Sequence, residues 1–262
     1  MKKYQLIAID IDGTLLNDKK EILEETKNDI IEAHQKGKVI AISTGRAYYP
    51  AMKYFSQFDF NIPLILFNGG RVRMSHADSD IYSKTFDNDL ANKIFNIIND
   101  NDGTCCFWSG DAVYFNKDNN YCQYYATLTS IKPIIINEDF ILKDINKFIW
   151  FDKPDNLKMI QNNILSIVDG INYFKSQLEM LEIVPCGVSK GDALKFLADY
   201  LKIDVSQVIA IGDDENDISM IKYADLGVAM GNAKEIVKEC SNYICDTNNH
   251  NGVGKVIRKF ML

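Results

Sequence analysis

Residues 6–16 read Leu6-Ile7-Ala8-Ile9-Asp10-Ile11-Asp12-Gly13-Thr14-Leu15-Leu16, and the rest of the chain follows from this stretch. A short apolar run closed by a glycine-containing turn predicts a buried strand. Open α/β sheets bind their ligands outside the carboxyl ends of the strands. The run therefore delivers Asp10 and Asp12 to such an edge. One carboxylate can attack while the other moves a proton.

The same grammar recurs outward from this strand. Residues 21–36 carry Ile22, Leu23, Ile30 and Ile31 among polar residues and stop at Gly37, the pattern of a helix with its terminating glycine. Val39–Ser43 predicts a second strand, followed by Thr44-Gly45-Arg46 and a helix to about Ser56. Pro63–Phe67 predicts a third, ending in Asn68-Gly69-Gly70. Strand alternating with helix predicts a parallel sheet with helices packed on it.

From about residue 84 the pattern changes. Leu90, Ile94, Ile97 and Ile98 mark a helix ended by Asp102-Gly103. Cys105–Ser109 and Val113–Asn116 predict a hairpin through Gly110-Asp111. A tyrosine-rich helical stretch follows, then strands at Ile134–Ile136 and Lys147–Asp152. A helix is predicted over residues 156–168, with Leu157, Ile160, Ile164, Leu165 and Val168 on one face. Ile171–Ser176 and Met180–Pro185 read as a closing strand pair. This block, residues 84–186, reads as an α+β domain inserted between a first segment, 1–83, and a second, 187–262. The alternation then resumes. Ser189 caps a helix bearing Leu194, Leu197, Tyr200 and Leu201, and Val208–Ile211 leads into Gly212-Asp213-Asp214-Glu215-Asn216-Asp217. Two further strand–helix units close the chain.

Composition excludes several classes. The chain has 262 residues and a formal net charge of −7, which argues against a general nucleic-acid or anionic-membrane surface. No run approaches the ~18 apolar residues of a membrane span. Lys2 and Lys3 precede an apolar run too short for a signal peptide, because Asp10 breaks it. Cys105, Cys106, Cys122, Cys186, Cys240 and Cys245 show neither a Cys-x-x-Cys pair nor zinc spacing and read as buried free thiols. A cytoplasmic protein is expected.

Asp10/Asp12, Thr44-Gly45, Asn68-Gly69 and Asp213…Asn216-Asp217 each follow a predicted strand, so all four should meet on one sheet edge. Mg²⁺ takes oxygen ligands. Asp10 and Asp213 can each give a carboxylate oxygen, the Asp12 carbonyl a third, and a substrate phosphate can complete the set. Asp10 then serves as nucleophile and Asp12 as acid and base, which requires their pKa values to be pushed apart. The Thr44 hydroxyl, the Gly45 N–H, Lys190 and Asn216 suit a phosphate, and Asp217 suits the orientation of Lys190 or of a metal-bound water.

Asp-Ile-Asp-Gly-Thr-Leu-Leu, Ser-Thr-Gly-Arg, Ser-Lys-Gly-Asp-Ala-Leu and Gly-Asp-Asp-Glu-Asn-Asp-Ile-Ser-Met together resemble the four motifs of the haloacid dehalogenase-like (HAD) hydrolases, and more narrowly the Cof-type (class IIB cap) phosphatases. The resemblance spans the whole chain. It implies a Rossmann-like parallel sheet core with an inserted α/β cap, Mg²⁺, and an aspartyl-phosphate formed from small phosphorylated metabolites such as sugar phosphates. It places the nucleophile on Asp10, the acid/base on Asp12 and the lysine on Lys190. Metal ligands fall on Asp10, Asp12 (carbonyl) and Asp213, and phosphate contacts on Ile11 (backbone), Thr44, Gly45, Lys190 and Asn216. Gly70, Asn251 and Gly254 depart from the usual pattern, away from this chemistry.

Two rival readings use the same residues: a phosphotransferase or sugar-phosphate mutase, and a non-catalytic sensor of phosphorylated ligands. The second has no need of a nucleophile plus an acid. His34, His76 and His250 read as structural. Arg46 divides between a structural salt bridge and a substrate contact. Trp108, Trp150 and the Tyr121–Tyr125 cluster read mostly as the insert's core. Substrate identity and oligomeric state are not legible in the sequence.

Overall fold

The structure, a computed structural model, describes residues 4–262 apart from Ile164. Lys2, Lys3 and Ile164, which entered the leader and helix-face readings above, lie outside the described residues. The chain divides into two compact units, one running up to Tyr82 and resuming over Ser189–Leu262, the other Ser83–Val188.

The first unit begins with β1 (Leu6–Asp10), α1 (Glu24–Gln35), β2 (Val39–Ser43), α2 (Tyr48–Phe55), β3 (Pro63–Leu66), β4 (Arg71–Met74) and β5 (Asp80–Ser83, whose last residue opens the second unit). The second unit contains α3 (Asn88–Asp100), β6 (Thr104–Ser109), β7 (Ala112–Phe115), α4 (Asn120–Thr129), β8 (Ile134–Ile135), β9 (Ile145–Phe151), α5 (Pro154–Asn163), β10 (Ile171–Gln177) and β11 (Met180–Pro185). The first unit resumes with α6 (Lys190–Tyr200), β12 (Val208–Gly212), α7 (Ile218–Tyr223), β13 (Leu226–Ala229), α8 (Glu235–Glu239), β14 (Tyr243–Ile244) and α9 (Gly252–Phe260).

In the first unit the strands form one sheet in the order β14-β13-β12-β1-β2-β3-β4-β5. Pairing is parallel from β14 through β3. β1 is buried along its whole length. Ile7 and Ile9 enter the apolar cluster on one face, while Leu6 and Ala8 enter that on the other. That two-residue period is what a strand covered on both faces requires. From β1 the chain steps outward through β2 and β3 in one direction, and from β12 through β13 and β14 in the other. The switch point lies between β1 and β12, whose carboxyl ends carry Asp10 and lead into Asp213.

The sheet is not wholly parallel, as the sequence had suggested. β4 pairs antiparallel to β3. Its two arginines alternate with Val72 and Met74, which disguises it as exposed, yet both are buried. Arg71 pairs with Asp80 at 2.6 Å, and the Arg73 guanidinium lies 3.9 Å from the centroid of the Tyr48 ring. Two helix boundaries also differ from the periodicity. Ile22 precedes α1 and forms a bridge with Leu16 instead. α5 ends at Asn163, and Leu165–Ile167 forms a separate short turn. Gly37 does end its helix, at φ +76°, as expected.

The second unit carries a six-stranded sheet in the order β10-β11-β9-β6-β7-β8, antiparallel except for the β7–β8 pair. Residues of α3 and α5 (Ile94, Ile98, Leu157, Ile160) pack with Cys105, Phe107, Phe148, Trp150, Leu181 and Ile183 in one cluster. The alternate residues Cys106, Trp108, Lys147 and Glu182 are buried too, with Lys147 and Glu182 paired at 3.1 Å. Trp108 donates its Nε1–H to Tyr125 Oη at 3.0 Å, so both are core, as is Trp150, whereas Tyr124 is exposed. The thiols divide more than the sequence suggested: Cys186 is exposed and Cys240 half-buried, the other four buried.

Candidate active site

The strand ends bring the expected residues together. Lys190 opens α6, and Ser189 caps that helix by accepting the N–H of Asp192 at 3.1 Å. The cap fixes where Lys190 enters, and its side chain is fully buried. The Lys190 Nζ donates to Asp10 Oδ1 and to Asp217 Oδ1, each at 2.6 Å. Asp217 Oδ2 in turn accepts the N–H groups of Asp213 at 2.9 Å and Asp214 at 3.1 Å. An ammonium taken out of water needs this compensation. The two carboxylates hold Lys190 protonated, its pKa raised although burial alone would lower it.

Asp213 is fixed from the other side. Thr14 donates its hydroxyl to Asp213 Oδ1 at 2.7 Å. Gly13, at φ +82°, lets the turn after β1 pass so close that a β-carbon there would overlap the Asp213 carboxylate. Asn232 donates to the Gly13 carbonyl at 2.8 Å and accepts the N–H of Asn248 at 3.0 Å, which braces the same turn. Carboxylate oxygens of Asp10, Asp213 and Asp217 lie within 4.8 Å of one another. Burial, with the charges of Asp217 and Asp213 adding, raises the pKa of Asp10 despite Lys190. Burial likewise lifts Asp213, to about 6.

Asp12 faces a different neighbour. Arg46 donates Nε to Asp12 Oδ2 and Nη2 to Asp12 Oδ1, both at 2.8 Å, and Lys20 adds a contact at 3.1 Å. Partial burial works to raise the Asp12 pKa, but the paired cations outweigh it and hold it below the usual range. The two carboxylates are thus pushed apart, in the opposite sense to the one expected from sequence. The reason is Arg46, whose role the sequence left open.

The remaining predicted residues sit on adjacent loops. The Ile11 side chain is buried in the core, so only its backbone is available to a ligand. The Thr44 hydroxyl accepts the Arg46 N–H at 3.2 Å, at the loop that leads into α2. Asn216 donates its amide to Asn68 Oδ1 at 3.0 Å. Asn68, Thr14, Asn232 and Asn248 were not singled out individually by sequence. Asn68 carried a signal, a polar residue directly after a buried strand at the same edge, and Thr14 lies within the first motif. His34 stacks on Phe60 at 3.7 Å and His250 Nδ1 lies 2.7 Å from Thr247 Oγ1, while His76 sits exposed in a turn.

A carboxylate edge at the switch point of a parallel sheet, with one buried ammonium and flanking hydroxyl and amide groups, defines an α/β enzyme built for phosphate chemistry. The chain belongs to the haloacid dehalogenase-like hydrolase family, whose model matches residues 7–257, and within it to the Cof-type phosphatases. It is 33% identical over 261 residues to the 5-amino-6-(5-phospho-D-ribitylamino)uracil phosphatase YcsE of Bacillus subtilis, covering 98% of this chain and 96% of that one. The crystal structure of TM0651 from Thermotoga maritima superposes with a TM-score of 0.88 at 31% identity, covering 98% and 97% of the two chains. The HAD subclass IIB sugar phosphatase BT4131 shares the fold, with a TM-score of 0.79 at 21% identity over 98% of each chain. The protein is a phosphatase acting on small phosphorylated substrates. Among the described residues, no helix is long and apolar enough to cross a membrane.

Proposed function

We propose that the protein hydrolyses phosphomonoesters of small metabolites through an aspartyl-phosphate on Asp10, with Mg²⁺ as cofactor. The observation that carries this reading is the placement of Lys190 between Asp10 and Asp217, with Asp213 alongside.

The donor set fits a hard cation. Asp217 has both oxygens engaged, one by Lys190 and one by two N–H groups, so it orients rather than ligates. Asp10 Oδ2 and Asp213 Oδ2 have no hydrogen-bond donor among the described residues. With the Asp12 carbonyl they would hold Mg²⁺, which takes oxygen ligands and retains places for waters and phosphate. Bound there, it would neutralise phosphate charge and orient the phosphoryl group.

Asp10 attacks phosphorus, and the bond from phosphorus to the ester oxygen breaks. Asp12 gives that oxygen its proton. Asp12 then takes a proton from water as the water attacks phosphorus, and the Asp10–phosphorus bond breaks to release phosphate. In the observed pose both Asp12 oxygens accept from Arg46, which sets the carboxylate as base; one of those bonds must open when Asp12 carries a proton. Lys190 holds Asp10 in place and offsets the charge it gains with the phosphoryl group. Thr44, the backbone N–H groups of Ile11 and Gly45, and Asn216 donate to phosphate oxygens.

Residues 1–83 and 187–262 supply this chemistry and the insert, 84–186, selects the substrate. YcsE is named for a phosphorylated ribitylamino compound and BT4131 as a sugar phosphatase. A phosphate ester on a sugar or polyol chain is accordingly the class we infer for this chain, acting in the cytoplasm. The test is Asp10→Asn assayed with p-nitrophenyl phosphate and Mg²⁺. Loss of turnover is expected, and wild-type turnover would exclude Asp10 as the nucleophile. Phosphate release without any acceptor alcohol separates hydrolysis from transfer.

A further inference from the structure

The turn after β3 is engaged by the loops after β2 and β12 and by the start of α6. Phe67 and Asn68 both adopt left-handed backbone, at φ +52° and +56°. The Phe67 N–H donates to the Arg46 carbonyl at 3.2 Å and the Asn68 N–H to the Thr44 carbonyl at 3.0 Å, which ties the turn to the loop after β2. Gly69, at φ +104°, passes so near the Ser189 carbonyl that a β-carbon there would overlap it. The Asn68 amide lies against Gly45, where a β-carbon would stand 3.1 Å from both its terminal atoms. From there Asn68 Oδ1 accepts from Asn216 Nδ2 at 3.0 Å.

A carboxamide is nearly symmetric in shape but not in charge. Rotated by half a turn, Asn216 would offer a carbonyl oxygen, which repels an anion. Its Nδ2 carries two hydrogens. In this structure Asn68 Oδ1 takes one of these hydrogens, which turns the Nδ2 end of the Asn216 amide toward Asn68. The second hydrogen stays free for a phosphate oxygen. We infer that Asn68 is a positioning residue that sets the donor face of Asn216 toward the phosphate. This rests on the assignment of Asn216 as a phosphate contact made above.

The test uses Asn68→Gly, since glycine accepts the left-handed backbone and removes only the side chain. It is compared with Asn216→Ala and with the double variant, in the full-length chain. The readouts are the inhibition constant of inorganic phosphate against p-nitrophenyl phosphate turnover, KM, and kcat. Loss of one neutral hydrogen bond is worth about three- to tenfold, and loss of one to a charged group about ten- to a hundredfold. Asn68→Gly should weaken phosphate inhibition and raise KM by about the first factor and Asn216→Ala by about the second, with kcat changed less. The double variant should be no worse than Asn216→Ala, because Asn68 acts only through Asn216. If the two effects multiply, or Asn68→Gly leaves phosphate inhibition unchanged while Asn216→Ala weakens it, the positioning role is wrong. If Asn216→Ala itself binds phosphate as wild type does, the assignment of Asn216 fails first and the inference with it.

Discussion

Lys190 and Asp217 form an ion pair of 2.6 Å in which both side chains are wholly removed from solvent. Neither partner has water to fall back on, and Asp217 also satisfies two backbone N–H groups. Breaking a buried pair by removing one partner costs about 3–5 kcal/mol. Asp217→Ala is therefore expected to lower stability by about that amount. Asp217→Asn keeps an acceptor and should cost less, about 1–3 kcal/mol. Urea unfolding of both variants measures the difference; equal and small losses would contradict it.

Gly69 and Gly37 separate strain from collision. Both have positive φ, but a β-carbon at position 37 meets nothing within 4 Å, whereas at 69 it overlaps the Ser189 carbonyl. Gly37→Ala should cost about 1 kcal/mol, the conformational penalty alone. Gly69→Ala should cost about 2–4 kcal/mol and reduce turnover, since overpacking at that point displaces the start of α6 and Lys190 with it. Thermal unfolding of the two variants side by side checks the order.

Asp213 and Asp217 differ in what their oxygens have left to give. Asp213→Asn should raise the Mg²⁺ concentration needed for half-maximal activity at least about tenfold, by loss of a charged ligand. If Mg²⁺ binds the folded wild type as proposed, it should raise the wild-type Tm, and Asp213→Asn should abolish that rise. Chelation followed by desalting should leave wild-type protein inactive until Mg²⁺ is restored. An unchanged Mg²⁺ requirement in Asp213→Asn would remove Asp213 from the ligand set.

The thiols should react in the order of their exposure. Cys186 is exposed and Cys240 half-buried, while Cys105, Cys106, Cys122 and Cys245 are enclosed. Burial raises the pKa of all four enclosed thiols, that of Cys245 to about 12, so they stay protonated and unreactive at neutral pH. A disulfide reagent should titrate Cys186 at once and Cys240 more slowly, with the other four released only on unfolding. Rapid modification of four or more in native buffer would contradict the packing of the second unit.

The candidate site was legible because its residues are local. Asp10 and Asp213 each follow an uninterrupted apolar strand, and parallel pairing of β1 with β12 does the rest. What escaped depends on tertiary contact. β4 hides behind Arg71 and Arg73, whose burial rests on Asp80 and on the ring of Tyr48. The Asp12–Arg46 pair reverses the pKa order that chemistry alone suggested, and nothing at either position announces its partner. Asn68 reaches a residue 148 positions away through a left-handed turn that the dipeptide Asn-Gly only hints at.

The central claim, displacement by Asp10 followed by displacement by water, is tested most directly by the stereochemistry at phosphorus. With a phosphorothioate ester made chiral at phosphorus by sulfur and two oxygen isotopes, and turned over in water carrying the third isotope, two in-line displacements predict overall retention of configuration. Inversion would mean that water attacks the ester directly, and that Asp10 never bonds to phosphorus.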